Sequence, residues 1–90
     1  MIVLVLENAK PSLRGEISRW LFEIKVGVFA GCVSALVRDE LWGLIEDKIG
    51  TGSALMVYPQ RNEQGFDARM LGNPSRKLVD IEGILLVQIQ

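Results

Sequence analysis

Two groups of residues near the start of the chain are of types that can do chemistry. Glu7 and Asn8 follow the apolar run at residues 2–6, and Lys10 and Arg14 come shortly after them. A carboxylate at the end of a strand can hold a magnesium ion, because hard cations prefer oxygen ligands. The alternative is a polar strand end that bonds to the following loop, with Asn8 as a turn residue.

The basic residues indicate a second kind of chemistry, the binding of anions. Arg14 belongs to the first turn of a predicted helix that follows Pro11, and Lys10 is close to it in sequence. Cations are unfavourable at a helix N-terminus, whereas backbone N–H groups there bind anions. We therefore predict that an external phosphate approaches Arg14, the alternative being a plain solvated cation. Two further cations, Arg76 and Lys77, fall in the predicted loop before the last strand.

The composition excludes several classes of site. The chain has no histidine, which rules out imidazole base catalysis, a Ser-His-Asp triad and the common zinc sites. Ten basic and eleven acidic residues give a net charge of −1, so nucleic-acid binding must come from local clusters of cations. The single cysteine, Cys32, excludes an internal disulfide and fits a reducing cytosol. We interpret it as a small buried residue.

The length of the chain predicts one domain over residues 1–90. An apolar fraction of 49% is high for a small monomer and leaves surface for a homodimer or another partner. The apolar run at residues 2–6 is too short for a signal peptide, and no run approaches a membrane span. We expect a cytoplasmic protein without a membrane partner.

Hydrophobic periodicity predicts two helices and five strands. The helices are predicted at residues 12–25 and 34–49, with Ser12 and Ser34 as their N-caps. The predicted strands are residues 2–6, 26–31, 53–59, 66–71 and 84–89, and the predicted loops are residues 60–65 and 72–78.

This order of elements fits two architectures, a flavodoxin-like parallel sheet and a ferredoxin-like sheet. Ninety residues are too few for a doubly wound sheet. We therefore favour an α+β, ferredoxin-like βαββαβ-type sandwich with an extra C-terminal strand. In it the glycine-flanked strand at residues 26–31 pairs antiparallel with a neighbour.

Several other side chains have simple structural interpretations. Trp20 and Trp42 lie on or beside apolar helical stripes, so we expect core or dimer anchors rather than platforms for bases. Arg19, Lys25 and Arg38 lie beside acids in the predicted helices and are interpreted as solvated helix faces.

Three stretches, in order, resemble one family. They are LVLENAKPSLRGEISRWLFEIKVGVFAGCVSALVRDELW, NEQGFDARMLGN and SRKLVDIEGILLV. Together they place an apolar strand ending in Glu-Asn, a Pro-x-Leu-Arg-Gly segment, two Trp-bearing segments and a Val-Asp-x-x-Gly segment in one order. This set resembles the CRISPR-associated Cas-two family, in its type I-E branch, over nearly the whole chain.

The resemblance implies a ferredoxin-like homodimer that lies between two dimers of the Cas-one integrase. Such a complex captures duplex protospacer DNA and inserts it into a CRISPR array. In this branch the small subunit acts mainly as a scaffold for DNA and requires no cofactor. Other members of the family are described as metal-dependent nucleases with an aspartate where this chain has Glu7, so an endonuclease acting on RNA or DNA is the alternative. Mg²⁺ would then bind Glu7 and its symmetry mate.

The resemblance also assigns DNA contacts to individual residues. Arg14 matches a position that contacts the DNA backbone, and Arg76 matches one of two adjacent arginines that do so. Ser75 stands where the other arginine would be, so the implied backbone contact is either weaker or redistributed onto Lys10 and Lys77. Such contacts would be independent of base sequence and sensitive to salt. A small metabolite-binding dimer is a third possibility, but no glycine-rich phosphate loop supports it.

Overall fold

The structure is a computed structural model that describes residues 1–72, 76–81 and 84–89, with side chains described for residues 1–72. The elements, in chain order, are β1 (Ile2–Glu7), α1 (Pro11–Ile17), β2 (Phe22–Lys25), β3 (Val28–Gly31), α2 (Ala35–Lys48), β4 (Ser53–Pro59), β5 (Phe66–Leu71), β6 (Arg76–Ile81) and β7 (Ile84–Ile89).

The main sheet has five strands in the order β2-β3-β1-β4-β5, and every pairing between neighbours is antiparallel. The first six elements follow the βαββαβ order, with β1 in the middle of the sheet and β5 added at its edge. Strands β6 and β7 form a separate antiparallel pair. The predicted α+β, ferredoxin-like fold is therefore confirmed, and the parallel flavodoxin-like alternative is wrong.

The core lies between one face of the sheet and the two helices. Alternate residues of β1 are buried, because successive side chains of a strand point to opposite faces. The largest fully buried side chains are Leu4, Leu13, Ile17, Phe29, Ile45 and Met56. Trp42 is also buried, as predicted for a core anchor. Neither helix in the described part of the chain has the length and hydropathy needed to cross a bilayer.

The other face of the sheet is apolar as well. We call it the open sheet face, and the strand register assigns to it Val3, Val5, Phe22, Val28, Ala30, Leu55, Val57 and Met70. Phe22 is 75% exposed, and Val3 and Met70 are also exposed.

The prediction of one long helix at residues 12–25 is wrong. Helix α1 ends at Ile17, where the Ser18 hydroxyl donates to the Arg14 carbonyl and the next N–H groups bond three residues back. Such local bonds compete with the helical ladder. The segment after this turn pairs with β3 as strand β2, which leaves Trp20 57% exposed.

Three smaller expectations are also corrected. The N-cap of α1 is Lys10, with Pro11 at the first helical position, so Ser12 does not cap this helix. Cys32 is exposed rather than buried. The predicted loop at residues 72–78 contains the start of β6, which places Arg76 and Lys77 in a strand. By contrast, Ser34 caps α2 as predicted, since its hydroxyl accepts a bond of 3.2 Å from the Val37 N–H.

Candidate functional site

Glu7, the candidate metal ligand, lies at the end of β1 opposite the start of β4. The Ser53 hydroxyl donates a hydrogen bond of 3.2 Å to Glu7 Oε1. Ser53 is only 5% exposed, and a buried hydroxyl requires a partner. One function of the Glu7 carboxylate is therefore to satisfy this buried serine.

Asn8 turns the chain away from the sheet. Its φ of 58° lies in the left-handed region, which asparagine tolerates better than most residues. Its side-chain amide donates to Thr51 Oγ1 at 3.5 Å. The loop before β4 approaches closely, since a Cβ on Gly52 would lie 2.5 Å from the Glu7 carbonyl oxygen. The end of β1 is thus a tightly packed junction between two strands.

The junction at the end of β1 offers few side-chain ligands for a metal ion. Among residues whose side chains are described, no three His, Cys, Asp or Glu residues group closely enough to hold a metal ion. A magnesium ion at Glu7 would therefore need ligands beyond this set, such as Glu7 of a second copy of the chain. The role of Glu7 in catalysis stays a prediction.

Arg14, the first candidate for DNA binding, lies in the last turn of α1 because that helix has only seven residues. A cation is favourable near a helix C-terminus, so the predicted electrostatic conflict at an N-terminus is absent. The Arg14 Nη1 atom lies 3.5 Å from Glu23 Oε2, and about a quarter of each side chain is exposed. The structure therefore supplies an internal partner for this arginine.

Lys10 lies one helical turn before Arg14 and is exposed. It lines a surface groove of about 400 Å³ with Ser12, Leu13, Asp47, Lys48 and Gly50. Lys48 donates a bond of 2.9 Å to Glu16 Oε1, which raises the pKa of Lys48. The groove therefore carries charges of both signs.

A second cluster of cations, which the sequence did not indicate, joins α2 to β4 and β5. Asp39 Oδ1 lies 3.1 Å from Arg38 Nε and 2.8 Å from Arg69 Nη2. Both guanidinium groups also lie over the Tyr58 ring, at 4.4 and 5.1 Å from its centre. These two arginines lower the pKa of Asp39, chiefly through their hydrogen bonds.

This cluster corrects the interpretation of Arg38 as a solvated helix face, since only 18% of its side chain is exposed. Arg38 and Asp39 are neighbours in sequence, so their proximity could have been foreseen. The contribution of Arg69 could not, because it depends on the pairing of β4 with β5.

The remaining predicted DNA contacts, Arg76 and Lys77, lie at the start of β6. The register pairs Arg76 with Ile89 and Lys77 with Gln88 of β7. Their side chains lie outside the described residues, so their contacts stay predictions. The structure thus brings Glu7 together with Ser53 across the sheet. It places Lys10 in the groove beside Asp47 and Lys48, whereas Arg14 pairs with Glu23.

Comparison with known protein families shows which family the chain resembles. The model of a family described as "CRISPR-associated protein (Cas_Cas2CT1978)" matches residues 1–86 of the chain. This range includes the whole five-stranded sheet and both helices. It confirms the resemblance seen in the sequence and is compatible with the type I-E branch. The chain therefore belongs to this CRISPR-associated Cas-two family.

Proposed function

We propose that the chain is the small subunit of a CRISPR spacer-acquisition complex. It acts there as a homodimeric scaffold that binds protospacer duplex DNA through the phosphate backbone and bridges two dimers of a Cas-one integrase. The family match over residues 1–86 is the observation that carries this proposal, since it gives the chain a CRISPR-associated role.

The arrangement of α1 supports backbone binding. Lys10 is the N-cap residue of α1 and Arg14 lies four residues further along, so this short segment carries two cations. A guanidinium carries five N–H donors in a planar fork, which suits phosphate oxygens. Arg76 and Lys77 supply a second pair of cations in the proposal. Contacts of this type fix DNA in place without reading its sequence.

The open sheet face supports the homodimer. Its residues are apolar, and Phe22, Val3 and Met70 are exposed in the single chain. Burying such surface is favourable by about 25 cal/mol per Å². A second copy that packs on this face would also bring two sets of DNA-binding cations into one particle.

The alternative function is a Mg²⁺-dependent endonuclease centred on Glu7. A magnesium ion held by Glu7 of both copies would polarise a phosphoryl oxygen and activate water. The scaffold is better supported, because the hydrogen bond from buried Ser53 gives Glu7 a structural role that needs no metal. Mg²⁺-dependent cleavage that is abolished in E7Q would favour the nuclease instead.

The proposal is tested by the salt dependence of DNA binding. The double variant R14A/R76A is titrated with a labelled duplex at several salt concentrations, beside wild type and R19A. Arg19 is an exposed arginine in the turn after α1, so R19A is the matched control for charge. Each lost phosphate contact should reduce the slope of log K against log salt by about 0.9. An unchanged slope in R14A/R76A would contradict the proposed DNA surface.

A further inference from the structure

The Arg14 guanidinium rests against a carboxylate that is itself held in place. Glu23 Oε2 accepts a hydrogen bond of 2.9 Å from the Gly27 backbone N–H and lies 3.5 Å from Arg14 Nη1. The Gly27 carbonyl accepts a bond of 2.7 Å from the Leu6 N–H, which ties the turn to the central strand. The carboxylate is thus linked to the sheet through two successive hydrogen bonds.

Only glycine fits the turn that holds Glu23. Gly27 has a φ of 80°, and a Cβ at this position would meet the Leu6 carbonyl oxygen. The turn therefore lies directly against β1, and its N–H group has a fixed direction. Because Glu23 is bound to that N–H group, its side chain is restricted to few rotamers.

The contact with Glu23 occupies one edge of Arg14. Glu23 approaches Arg14 at a single atom, Nη1. A guanidinium has five N–H donors, so donors remain for a partner outside the chain. The side chains of Arg14 and Glu23 are 25% and 27% exposed, which places the pair at the surface.

We propose that Glu23 is a positioning residue for Arg14: it holds the guanidinium so that its remaining donors meet a DNA phosphate. This inference rests on the DNA-binding role proposed above for Arg14. A long side chain that is ordered before binding loses less conformational entropy when it binds. The negative charge of Glu23 acts in the opposite direction, because it repels phosphate.

These two effects predict opposite changes in DNA affinity for E23A. If positioning dominates, E23A weakens binding of a labelled random duplex by about three- to tenfold, although it removes a negative charge. E23Q keeps an acceptor for the Gly27 N–H and for Arg14 Nη1, so it should bind as tightly as wild type or more tightly. E63A removes an exposed carboxylate from the turn at residues 60–65 and is the matched control for charge. It should not weaken binding.

A double-mutant cycle separates positioning from a general structural role. In the R14A background, E23A should leave DNA affinity unchanged or raise it, because the residue that Glu23 positions is absent and only the repulsion between its charge and phosphate remains. Tighter binding by E23A, or an equal loss in the R14A background, would overturn the inference. If R14A leaves binding unchanged, the DNA-binding role of Arg14 fails as well. If R14A weakens binding and E23A does not, only the positioning role fails.

Discussion

The bond between Ser53 and Glu7 makes a quantitative prediction about the end of β1. In E7A the buried Ser53 hydroxyl loses the acceptor that lies 3.2 Å away. Leaving a buried polar group without a partner costs about 1–3 kcal/mol. For a domain of this size, each kcal/mol lowers the melting temperature by about 4–8 °C. E7Q keeps an acceptor and should lose much less stability.

Urea denaturation of E7A, S53A and the double variant tests this magnitude. S53A alone should cost about 0.5–1.5 kcal/mol, the usual net contribution of a hydrogen bond. Once the hydroxyl is absent, the further cost of E7A should fall by about 1 kcal/mol. All variants must be compared at one protein concentration, because the proposed dimer would stabilise the folded state. If the free-energy costs of E7A and S53A sum to the cost of the double variant within about 0.5 kcal/mol, the two residues are not coupled.

Three further predictions concern the turn, the ion cluster and the open sheet face. G27A should lower the free energy of unfolding, measured in denaturant, by about 1–3 kcal/mol or more, because alanine would be strained at a φ of 80° and its Cβ would meet β1. Wild-type stability of G27A would contradict the close approach between this turn and β1. The pKa of Asp39 is lowered in the folded protein, so ionised Asp39 stabilises the fold fully above pH 3.8, its ordinary pKa, and this stabilisation is lost as the pH falls through the pKa of the folded state. D39N should therefore reduce the loss of folding stability at acidic pH. An unchanged dependence of stability on acidic pH would contradict the ion cluster. V3D should shift the proposed dimer toward monomer in sedimentation experiments, since it places a charge on the open sheet face. A sedimentation profile equal to that of a dimeric wild type would exclude that face as the interface.

Much of the fold was predictable because several strands are uninterrupted apolar runs between turn residues. Strands β4, β5 and β7 begin and end where the sequence predicted, and α2 differs by one residue at each end. The sequence pattern predicts a single helix where the structure has α1 and β2, because Leu13, Ile17, Leu21 and Ile24 have the spacing of one helical face. The structure leaves Ile24 exposed and uses the segment as an edge strand, a choice made by pairing with β3.

The candidate site was predictable in its residues but not in their partners. Glu7 and Arg14 could be singled out by type and position, whereas Ser53 and Glu23 could not. Ser53 is opposite Glu7 only because β1 and β4 are neighbours in the sheet. Glu23 reaches Arg14 only because α1 ends early and β2 returns beside it. Contacts that depend on tertiary pairing leave no signal in the local sequence.

The most direct test of the scaffold role is spacer integration with a Cas-one integrase in vitro. Wild type, E7A and R14A/R76A are each added to the integrase with protospacer duplex and a CRISPR array, after their folding has been checked. A scaffold that binds DNA predicts that E7A supports integration, whereas R14A/R76A loses most of it. Full integration with R14A/R76A, or its loss in a folded E7A variant, would contradict the account.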